Sequence, residues 1–246
     1  MAKARKVPAI VDRASTFCPG CGHGVVIRLI GECLEELGQD QNVIFGIGVG
    51  CSSLLGGVLE TDRLHCAHGR ASAVCTGMKR VSPHNMVISY QGDGDAYSIG
   101  LSETTNAAYR NENFTVIAVN NTNFGMTGGQ MSSTTMPGQK TTTSQNGRDC
   151  SVTGAPIKFP ELVASQFDVA YVARGAVDTP ANVNKLKGYI KNALEAQLKG
   201  EGYSFVEVIS PCPTNWGMTP LQAMDRLKDE IIPYYPLGEL KTREGK

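Results

Sequence analysis

Short apolar runs alternate with longer amphipathic stretches along most of the chain. Apolar runs of five or six residues bounded by glycine, asparagine or proline predict buried strands, and apolar residues that recur every three to four positions predict helices. The predicted strands cover residues 43–47, 86–90, 114–119, 169–173 and 204–209. The predicted helices cover residues 24–37, 71–79, 97–110, 160–166, 180–198 and 221–231. This alternation predicts an α/β fold of three layers, in which a mostly parallel, doubly wound sheet lies between two layers of helices.

The length and charge of the chain restrict its class. Its 246 residues can form one large α/β domain, which we place at residues 15–215, between an N-terminal arm (1–14) and a C-terminal helix and tail (216–246). The formal net charge is zero, which argues against a nucleic-acid-binding surface. No apolar run approaches the ~20 residues of a membrane span, and the basic N-terminus lacks the apolar core of a signal peptide. We therefore expect a cytoplasmic protein that binds neither membrane nor nucleic acid.

Oxygen-bearing side chains follow two of the predicted strands. Asp93 lies in a Gly-Asp-Gly turn after the second strand, and Asn121 follows the third. Each motif alone is most simply a tight turn, but the carboxyl ends of parallel strands form a common crevice, where ligands of open α/β sheets bind. Mg²⁺ prefers such oxygens together with phosphate, and the helix predicted from residue 97 would point its N-terminus at the same anion. The stretch 92–129 therefore predicts a site for Mg²⁺ and a diphosphate.

A Cys-x-x-Cys motif, Cys18 to Cys21, precedes the first predicted helix. Three kinds of site are compatible with it: a thioredoxin-like redox pair, a structural zinc site and an iron–sulfur cluster. The redox pair is disfavoured because no strand precedes the motif, and the zinc site because the chain has no second Cys-x-x-Cys. We favour an iron–sulfur cluster because such clusters accept cysteines from distant loops.

Three further loops carry candidate chemistry. The glycine-rich turn after the first strand lacks the spacing of a dinucleotide fingerprint, so we reject a nicotinamide site, and Cys51 in this turn should face the crevice. The long polar loop 127–149 predicts either contacts to a diphosphate, a substrate carboxylate or coenzyme A, or disorder. Prolines flank Cys212 on both sides and predict an irregular loop over residues 210–216.

Taken together, these segments resemble a known family. The segments concerned are CPGCGHG, GVGCSS, AHGRA, GDGDAYSIG, NNTNFGMTGGQ and SPCPTNWG. Their combination is similar to the β subunit of 2-oxoacid:ferredoxin oxidoreductases, in particular the 2-oxoglutarate and 2-oxoisovalerate enzymes. The resemblance implies a thiamine diphosphate-binding fold, with thiamine diphosphate, Mg²⁺ and a [4Fe–4S] cluster as cofactors.

The resemblance also implies roles for individual residues. It implies Mg²⁺ ligation by Asp93, Asn121 and Asn123, and cluster ligation by Cys18, Cys21, Cys51 and Cys212. The cofactor-binding residues that it implies are Cys51, Ser52, Ser53, His68, Gly69, Gly92, Asp93, Gly94, Asp95, Asn121, Phe124, Gly125, Met126 and Thr127. His68 is the one candidate for a catalytic residue. Cys66, Cys75 and Cys150 receive no role.

The activity implied by the resemblance is oxidative decarboxylation of a 2-oxoacid with coenzyme A, giving acyl-CoA and CO₂, with electrons passing through the cluster to ferredoxin. Thiamine enzymes need a glutamate from a second, similarly folded domain, so we expect catalysis only with an α subunit, with γ and δ subunits as further candidate partners. Two alternatives stay open: a subunit of a non-redox thiamine-dependent decarboxylase or transferase, and a zinc-bound interaction module. The sequence leaves the identity of the 2-oxoacid open.

Overall fold

Seven strands form one sheet in this computed structural model, which describes residues 6–243. The strands are β1 (Val43–Ile47), β2 (Asp62–His65), β3 (Met86–Gly92), β4 (Thr115–Asn120), β5 (Tyr171–Ala176), β6 (Ser204–Ile209) and β7 (Gly238–Lys241). Their spatial order is β2-β1-β3-β4-β6-β5-β7. All neighbours pair in parallel except β7, which runs antiparallel to β5. The predicted α/β class with a mostly parallel sheet is confirmed.

Helices cover both faces of this sheet. They are α1 (His23–Glu36), α2 (Ala71–Val81), α3 (Leu101–Tyr109), α4 (Cys150–Thr153), α5 (Phe159–Gln166), α6 (Pro180–Leu198), α7 (Pro213–Trp216), α8 (Pro220–Arg226) and α9 (Ile232–Tyr234). Helices α1 and α6 pack on one face, and α2, α3 and α5 pack on the other, so the fold has three layers.

Two separate cores lie on the two faces of the sheet. In β3, Ile88 and Tyr90 belong to the core under α1 and α6, whereas Val87 belongs to the core under α2, α3 and α5. Successive side chains of a strand point to opposite faces, so a strand that is covered on both faces is buried at every position. This is why the central strands are continuous apolar runs and were recognisable in the sequence.

The chain reverses its direction across the sheet next to β1. From β1 the chain moves outward to β2, and it then returns to place β3 on the other side of β1. In open α/β sheets such a switch point leaves a crevice at the carboxyl ends of the strands. The loops that follow β1, β3 and β4 therefore meet at this edge, and they are the loops that carry the predicted ligands.

The two outermost strands were not predicted. All four residues of β2 are exposed, and β7 is only partly buried. Edge strands without a covering helix need no apolar run, so the sequence pattern that marks the central strands is missing from them.

Two local predictions were wrong. The segment after Cys212 is not irregular throughout, because Pro213 begins α7; a proline lacks only an N–H that has no partner in the first helical turn, and its fixed φ suits that position. The helix expected from residue 97 begins instead as a π-helical turn, Asp95–Ile99, with non-helical angles at Tyr97, and α3 follows it.

Both ends of the described chain pack on the domain. In the part of the predicted arm that the structure describes, Ile10 is buried in a core and Val11 bridges to Leu59. Near the other end, Tyr235 is fully buried and its hydroxyl donates to the Thr134 carbonyl group. Residues 1–5 of the arm and 244–246 of the tail lie outside the described residues. Between residues 6 and 243, no helix has the length and apolar character needed to cross a membrane.

Candidate active site

The loops after β1, β3 and β4 line one cleft at the carboxyl edge of the sheet. The lining residues are His23, Val49, Gly50, Cys51, His68, Gly92, Asp93, Gly94, Asp95, Asn121, Asn123, Phe124, Gly125, Met126 and Thr127. Three residues that were predicted to bind the cofactor, Ser52, Ser53 and Gly69, do not line it. The hydroxyls of the two serines donate to backbone carbonyl groups of the preceding turn.

Asp93 is almost fully buried at the turn after β3. Its Oδ2 accepts hydrogen bonds from the hydroxyls of Ser132, at 2.7 Å, and Thr134. Burial raises the pKa of the Asp93 carboxyl to about 6, while the two hydroxyl donors act to lower it. Oδ1 faces the side chain of Asn121. The protein thus fixes one carboxylate oxygen and directs the other at the neighbouring strand end.

One terminal atom of the Asn121 side chain lies among oxygen atoms of its neighbours. That atom is 3.3 Å from Asp93 Oδ1, 3.3 Å from Asn123 Oδ1 and 2.7 Å from the Asn123 carbonyl oxygen. As the amide nitrogen, it donates to these oxygens. A carboxylate oxygen, an amide oxygen and a carbonyl oxygen thus lie around one point, and such hard oxygens are the ligands that Mg²⁺ prefers. The residues present therefore fit Mg²⁺.

The first residue of the amide pair, Asn120, has a supporting role. Its Nδ2 donates to Glu207 Oε1 at 3.0 Å, and its Oδ1 accepts from the Thr122 amide at 3.0 Å. Glu207 in turn forms an ion pair with Arg174, and both side chains are fully or almost fully buried. Removing one partner of such a buried pair costs about 3–5 kcal/mol. This network fixes the end of β4 and so the position of Asn121.

Asp95, which was predicted to bind the cofactor, lines the cleft, and its carboxylate accepts hydrogen bonds from groups of the protein. Its Oδ1 lies 2.6 Å from His68 Nδ1 and accepts from the amides of Gly69 and Val49, and its Oδ2 accepts from Gln91. With Nδ1 of His68 held by the carboxylate, Nε2 is the ring atom that remains for the cleft. Asp95 therefore orients His68.

The Cys18–Cys21 turn packs against the loop after β6. The Cys21 amide donates to the Cys18 carbonyl oxygen at 3.0 Å, which closes the turn. The next amide, of Gly22, donates to Ser210 Oγ at 3.2 Å. Ser210 lies two residues before Cys212, so this bond brings three of the predicted cluster cysteines to one place.

Asn215 joins the fourth cysteine to the same group. Its Nδ2 donates to Cys212 Sγ at 3.3 Å and to the Gly125 carbonyl oxygen at 2.7 Å. Gly125 adjoins Cys51, because a Cβ at residue 125 would lie 3.1 Å from Cys51 Sγ. The loop that lines the cleft is therefore in contact with two of the cysteine loops.

The four thiols influence one another electrostatically. Burial is the largest of the causes that raise the pKa of Cys21 to about 11 and that of Cys51 to about 12, and the neighbouring thiolates contribute less. Burial also raises the pKa of Cys212. Without a positively charged partner these thiols are protonated at neutral pH. Within residues 6–243, no three His, Cys, Asp or Glu side chains surround a point that a single metal ion could occupy.

The other cysteines take no part in the cleft. Cys33 and Cys75 are fully buried, Cys66 is almost so, and Cys150 is partly exposed. All eight cysteines are free thiols. Cys33 packs in the core beside α1, as a small apolar side chain would.

Several residues at the site were missed in the sequence. His23 lines the cleft, its ring stacks on Phe17, and its Nδ1 lies 2.6 Å from Tyr90 Oη. Burial lowers the pKa of His23 to about 4, so the ring is neutral at neutral pH. Its place two residues after Cys21 was the available signal. Ser132 and Thr134 were also missed, because nothing in a run of hydroxyl residues indicates which of them reaches a carboxylate 40 positions earlier.

Comparisons with known proteins agree with this geometry. Residues 48–208 match the family model of the C-terminal TPP binding domain of thiamine pyrophosphate enzymes. The chain is 36% identical over 222 residues to the 2-oxoglutarate synthase subunit KorB of Methanothermobacter marburgensis, covering 88% of this chain and 74% of that protein. The chain belongs to the 2-oxoacid:ferredoxin oxidoreductase family.

Two further proteins of this family are similar to the chain. It is 41% identical over 233 residues to the ketoisovalerate oxidoreductase subunit VorA of Methanothermobacter thermautotrophicus, a match that covers 95% of this chain and 49% of that subunit. The chain thus spans about half the length of this relative. The solved structure of a 2-oxoglutarate:ferredoxin oxidoreductase from Magnetococcus marinus, with 2-oxoglutarate, coenzyme A and succinyl-CoA bound, matches 94% of this chain and 82% of its own, with a TM-score of 0.75 and 26% identity.

Proposed function

We propose that this chain is the thiamine diphosphate-binding part of a 2-oxoacid:ferredoxin oxidoreductase, which converts a 2-oxoacid and coenzyme A to acyl-CoA and CO₂ and passes two electrons to ferredoxin. The observation that carries this proposal is the contact between an oxygen-lined cleft and a group of four cysteines, made through Asn215. A thiamine enzyme without redox chemistry has no use for four thiols beside its diphosphate site.

Asp93, Asn121 and Asn123 would hold Mg²⁺, with diphosphate oxygens completing the coordination. The Gly-Asp-Gly turn lies at the same edge, where a diphosphate can approach the backbone closely. When bound, thiamine diphosphate supplies the nucleophilic carbon at which the 2-oxoacid loses CO₂. The contribution of this chain is to fix the diphosphate end of the cofactor so that the reactive carbon is always in one place.

Cys18, Cys21, Cys51 and Cys212 would hold a [4Fe–4S] cluster, because the loops that carry them converge beside the cleft and such clusters accept cysteines from distant loops. When bound, the cluster supplies a one-electron acceptor beside the cleft. The burial that raises the pKa of Cys21, Cys51 and Cys212 also shields these three sulfurs from water. Cys18 is exposed, which leaves the cluster accessible from outside for ferredoxin.

His68 is the candidate for proton handling in the cleft. It is partly exposed to the cleft, and its Nδ1 is fixed by the Asp95 carboxylate, which three other donors hold in place. This arrangement orients Nε2 to donate or accept a proton at the substrate oxygen or at a departing group. His68 therefore acts on the substrate without holding the cofactor.

A branched-chain 2-oxoacid is our first candidate substrate. Val49 and Met126 present partly exposed apolar side chains at the cleft. Among the described residues that line the cleft there is no lysine or arginine, so this chain offers no cation to a second carboxylate. The relative named as a ketoisovalerate oxidoreductase is also 41% identical to the chain. 2-Oxoglutarate is the second candidate, supported by the Magnetococcus structure.

The site would be completed by a partner that supplies the domain for the pyrimidine end of thiamine. Support comes from the length of VorA, of which the chain matches 49%, and from the apolar side chains at the mouth of the cleft. We propose an α-type partner for this role, γ- and δ-type subunits as further members of the complex, and the cytoplasm as its compartment, where the eight free thiols stay reduced.

A panel of 2-oxoacids tests the proposal. The complex with its native partners, purified without oxygen, is given thiamine diphosphate, Mg²⁺, coenzyme A and a viologen dye, and dye reduction is followed. We expect reduction with 2-oxoisovalerate, and weaker reduction with 2-oxoglutarate. Decarboxylation without dye reduction, from a protein that contains no iron, would support the non-redox alternative. A protein that contains only zinc and retains no thiamine diphosphate would support the interaction module.

A further inference from the structure

The segment 132–148, part of the polar loop predicted to contact ligands or to be disordered, has exposed residues along its middle and a set of buried side chains that lie behind the site. Ser132, Thr134, Thr135 and Arg148 are all at least nine-tenths buried. None of them lines the cleft. The segment folds back on itself through paired backbone bonds between Gly138, Gln139 and Arg148. Polar side chains buried this deeply have to direct their donors at specific acceptors. The acceptors show what the segment does.

The first acceptor is the buried carboxylate of Asp93. Both Ser132 Oγ and Thr134 Oγ1 donate to Asp93 Oδ2, and the two hydroxyls also lie 2.8 Å from each other. With Oδ2 held in this way, the carboxylate cannot rotate, and Oδ1 is kept facing Asn121 and Asn123.

The second acceptor is the carbonyl group of Thr122, next to the other proposed ligands. Thr122 has φ = 62°, the left-handed region that β-branched residues avoid. Its buried hydroxyl has no hydrogen-bond partner among the described residues. Its carbonyl oxygen accepts from Thr135 Oγ1 at 2.6 Å and from Gln139 Nε2 at 3.2 Å. The segment therefore holds a strained turn whose flanking residues are Asn121 and Asn123.

Arg148 holds the segment itself in place. Its buried guanidinium donates from Nη1 to the carbonyl oxygens of Ser132, Ser133 and Thr135, at 3.3, 3.1 and 2.6 Å. These are the residues that carry, or adjoin, the hydroxyls directed at Asp93 and Thr122. One side chain outside the cleft thus fixes the donors that act on both strand ends.

We propose that the 132–148 segment positions the Mg²⁺ ligands, with Thr134 and Arg148 as positioning residues that act through Asp93 and Thr122. The inference rests on the proposed function, since it takes Asp93, Asn121 and Asn123 as the Mg²⁺ ligands. The geometry of these three residues is then set by the segment before the ion arrives, and their affinity for Mg²⁺ depends on hydroxyl groups that never touch it.

The test compares Thr134→Val with Thr134→Ser and Thr141→Val. Valine keeps the shape of threonine and removes the hydroxyl, and serine restores the hydroxyl. Thr141 is the matched control, because its hydroxyl lies in the same segment but bonds to Ser144. For each complex, retention of thiamine diphosphate after gel filtration is measured as a function of free Mg²⁺, and iron content and melting temperature report the fold.

We expect Thr134→Val to need about tenfold more Mg²⁺ for half-maximal retention, the effect of losing a hydrogen bond to a charged group. Thr134→Ser and Thr141→Val should stay within about twofold of the wild-type concentration, because both keep the hydroxyl that bonds to Asp93. Unchanged Mg²⁺ dependence in Thr134→Val would overturn the inference, and so would an equal loss in Thr141→Val. If the wild type retains no cofactor at any Mg²⁺ concentration, the proposed function itself fails.

Arg148→Lys provides a second variant if Thr134→Val does not fold. Lysine keeps the positive charge but lacks the second donor, Nε, which bonds the Gly154 carbonyl oxygen and orients the guanidinium, so we expect the Mg²⁺ requirement to rise about fivefold. Arg110→Lys, in a surface pair with Glu112, is its control and should retain the wild-type requirement. An unaltered Mg²⁺ requirement in Arg148→Lys would remove Arg148 from the account.

Discussion

The carboxyl edge of the sheet holds two groups of ligand side chains, and the protein prepares them in different ways. The oxygen group follows strand ends and is buried. Hydroxyls of the 132–148 segment donate to Asp93 and to the Thr122 carbonyl oxygen, and Glu207 accepts from Asn120 beside Asn121. The sulfur group lies on loops, and burial raises the pKa of three of its members, Cys21, Cys51 and Cys212. The oxygen group consists of Asp93, Asn121 and Asn123, and the sulfur group of Cys18, Cys21, Cys51 and Cys212.

The oxygen group is therefore arranged before an ion binds, whereas the sulfur group is completed only when iron binds. Buried hydroxyls orient the carboxylate of Asp93 in the absence of any ion. The thiols, in contrast, lose solvation without gaining positive charge until iron arrives, as the raised pKa of Cys51 indicates. Changes in the sulfur group should therefore abolish occupancy, whereas changes in the oxygen group should weaken it by a measurable factor.

The largest effect is expected for Cys212→Ser. An alkoxide is a poor replacement for a thiolate ligand of iron, and the three remaining cysteines lie on two separate loops, so the complex should lose nearly all of its iron and visible absorption. Cys150→Ser is the control, because that thiol lies at the start of α4, outside the cleft, and its iron content should equal that of the wild type. Full iron content in Cys212→Ser would remove this residue from the sulfur group.

Asp93→Asn should come next. The amide keeps the shape of the carboxylate but removes its charge, so the Mg²⁺ concentration needed to retain thiamine diphosphate should rise about a hundredfold. Iron content should not change, which would separate the two groups. Asp62→Asn, on the exposed strand β2, should behave as the wild type in the same gel-filtration assay. Wild-type retention in Asp93→Asn would contradict its role as a ligand.

The effect of His68→Gln should be confined to turnover, because glutamine keeps a polar side chain but cannot exchange a proton. Turnover with the preferred 2-oxoacid should fall about a hundredfold, a typical contribution of a positioned acid or base. Cofactor retention and iron content should both stay at wild-type levels. His65→Gln, on β2, is the matched control and should turn over normally. A loss of cofactor retention in His68→Gln would indicate binding in place of proton transfer.

The smallest effect concerns the link between the two groups. Asn215→Leu removes the donor to Cys212 Sγ and to the Gly125 carbonyl oxygen. A hydrogen bond to a ligand sulfur favours the reduced, more negative cluster, so its loss should lower the reduction potential by about 40 mV, the equivalent of roughly 1 kcal/mol. Redox titration of the visible absorption measures this shift. An unchanged potential would mean that Asn215 links the loops without tuning the cluster.

The sequence predicted those parts of the fold whose determinants are local. Strands β1 and β6 and helix α6 have the predicted bounds, since apolar runs and a Thr-Pro start mark them directly. Strands β2 and β7 escaped prediction because an exposed edge leaves no apolar signature. The order in the 132–148 segment also escaped it, because its stability depends on acceptors from β3 and β4 that are distant in sequence.

The candidate site divides in the same way. Ligands that follow strands, such as Asp93 and Asn121, could be predicted to meet, because parallel strands end at one edge. The residues that support these ligands could not be predicted. The bonds from Thr134 to Asp93 and from Asn120 to Glu207 depend on packing that no motif encodes. Asp95 illustrates what the sequence leaves out. It was predicted to bind the cofactor, and only the structure shows that its carboxylate holds His68.

The most direct test of this account is the response of the bound cluster to a 2-oxoacid. The complex with its native partners, loaded with thiamine diphosphate and Mg²⁺ and kept free of oxygen and ferredoxin, is mixed once with 2-oxoisovalerate, and the visible absorption is recorded. We predict that the absorption bleaches in the wild type but not in Asp93→Asn, and that dithionite bleaches both. An iron-free wild-type complex, or bleaching by the 2-oxoacid that is as fast in Asp93→Asn as in the wild type, would contradict the account.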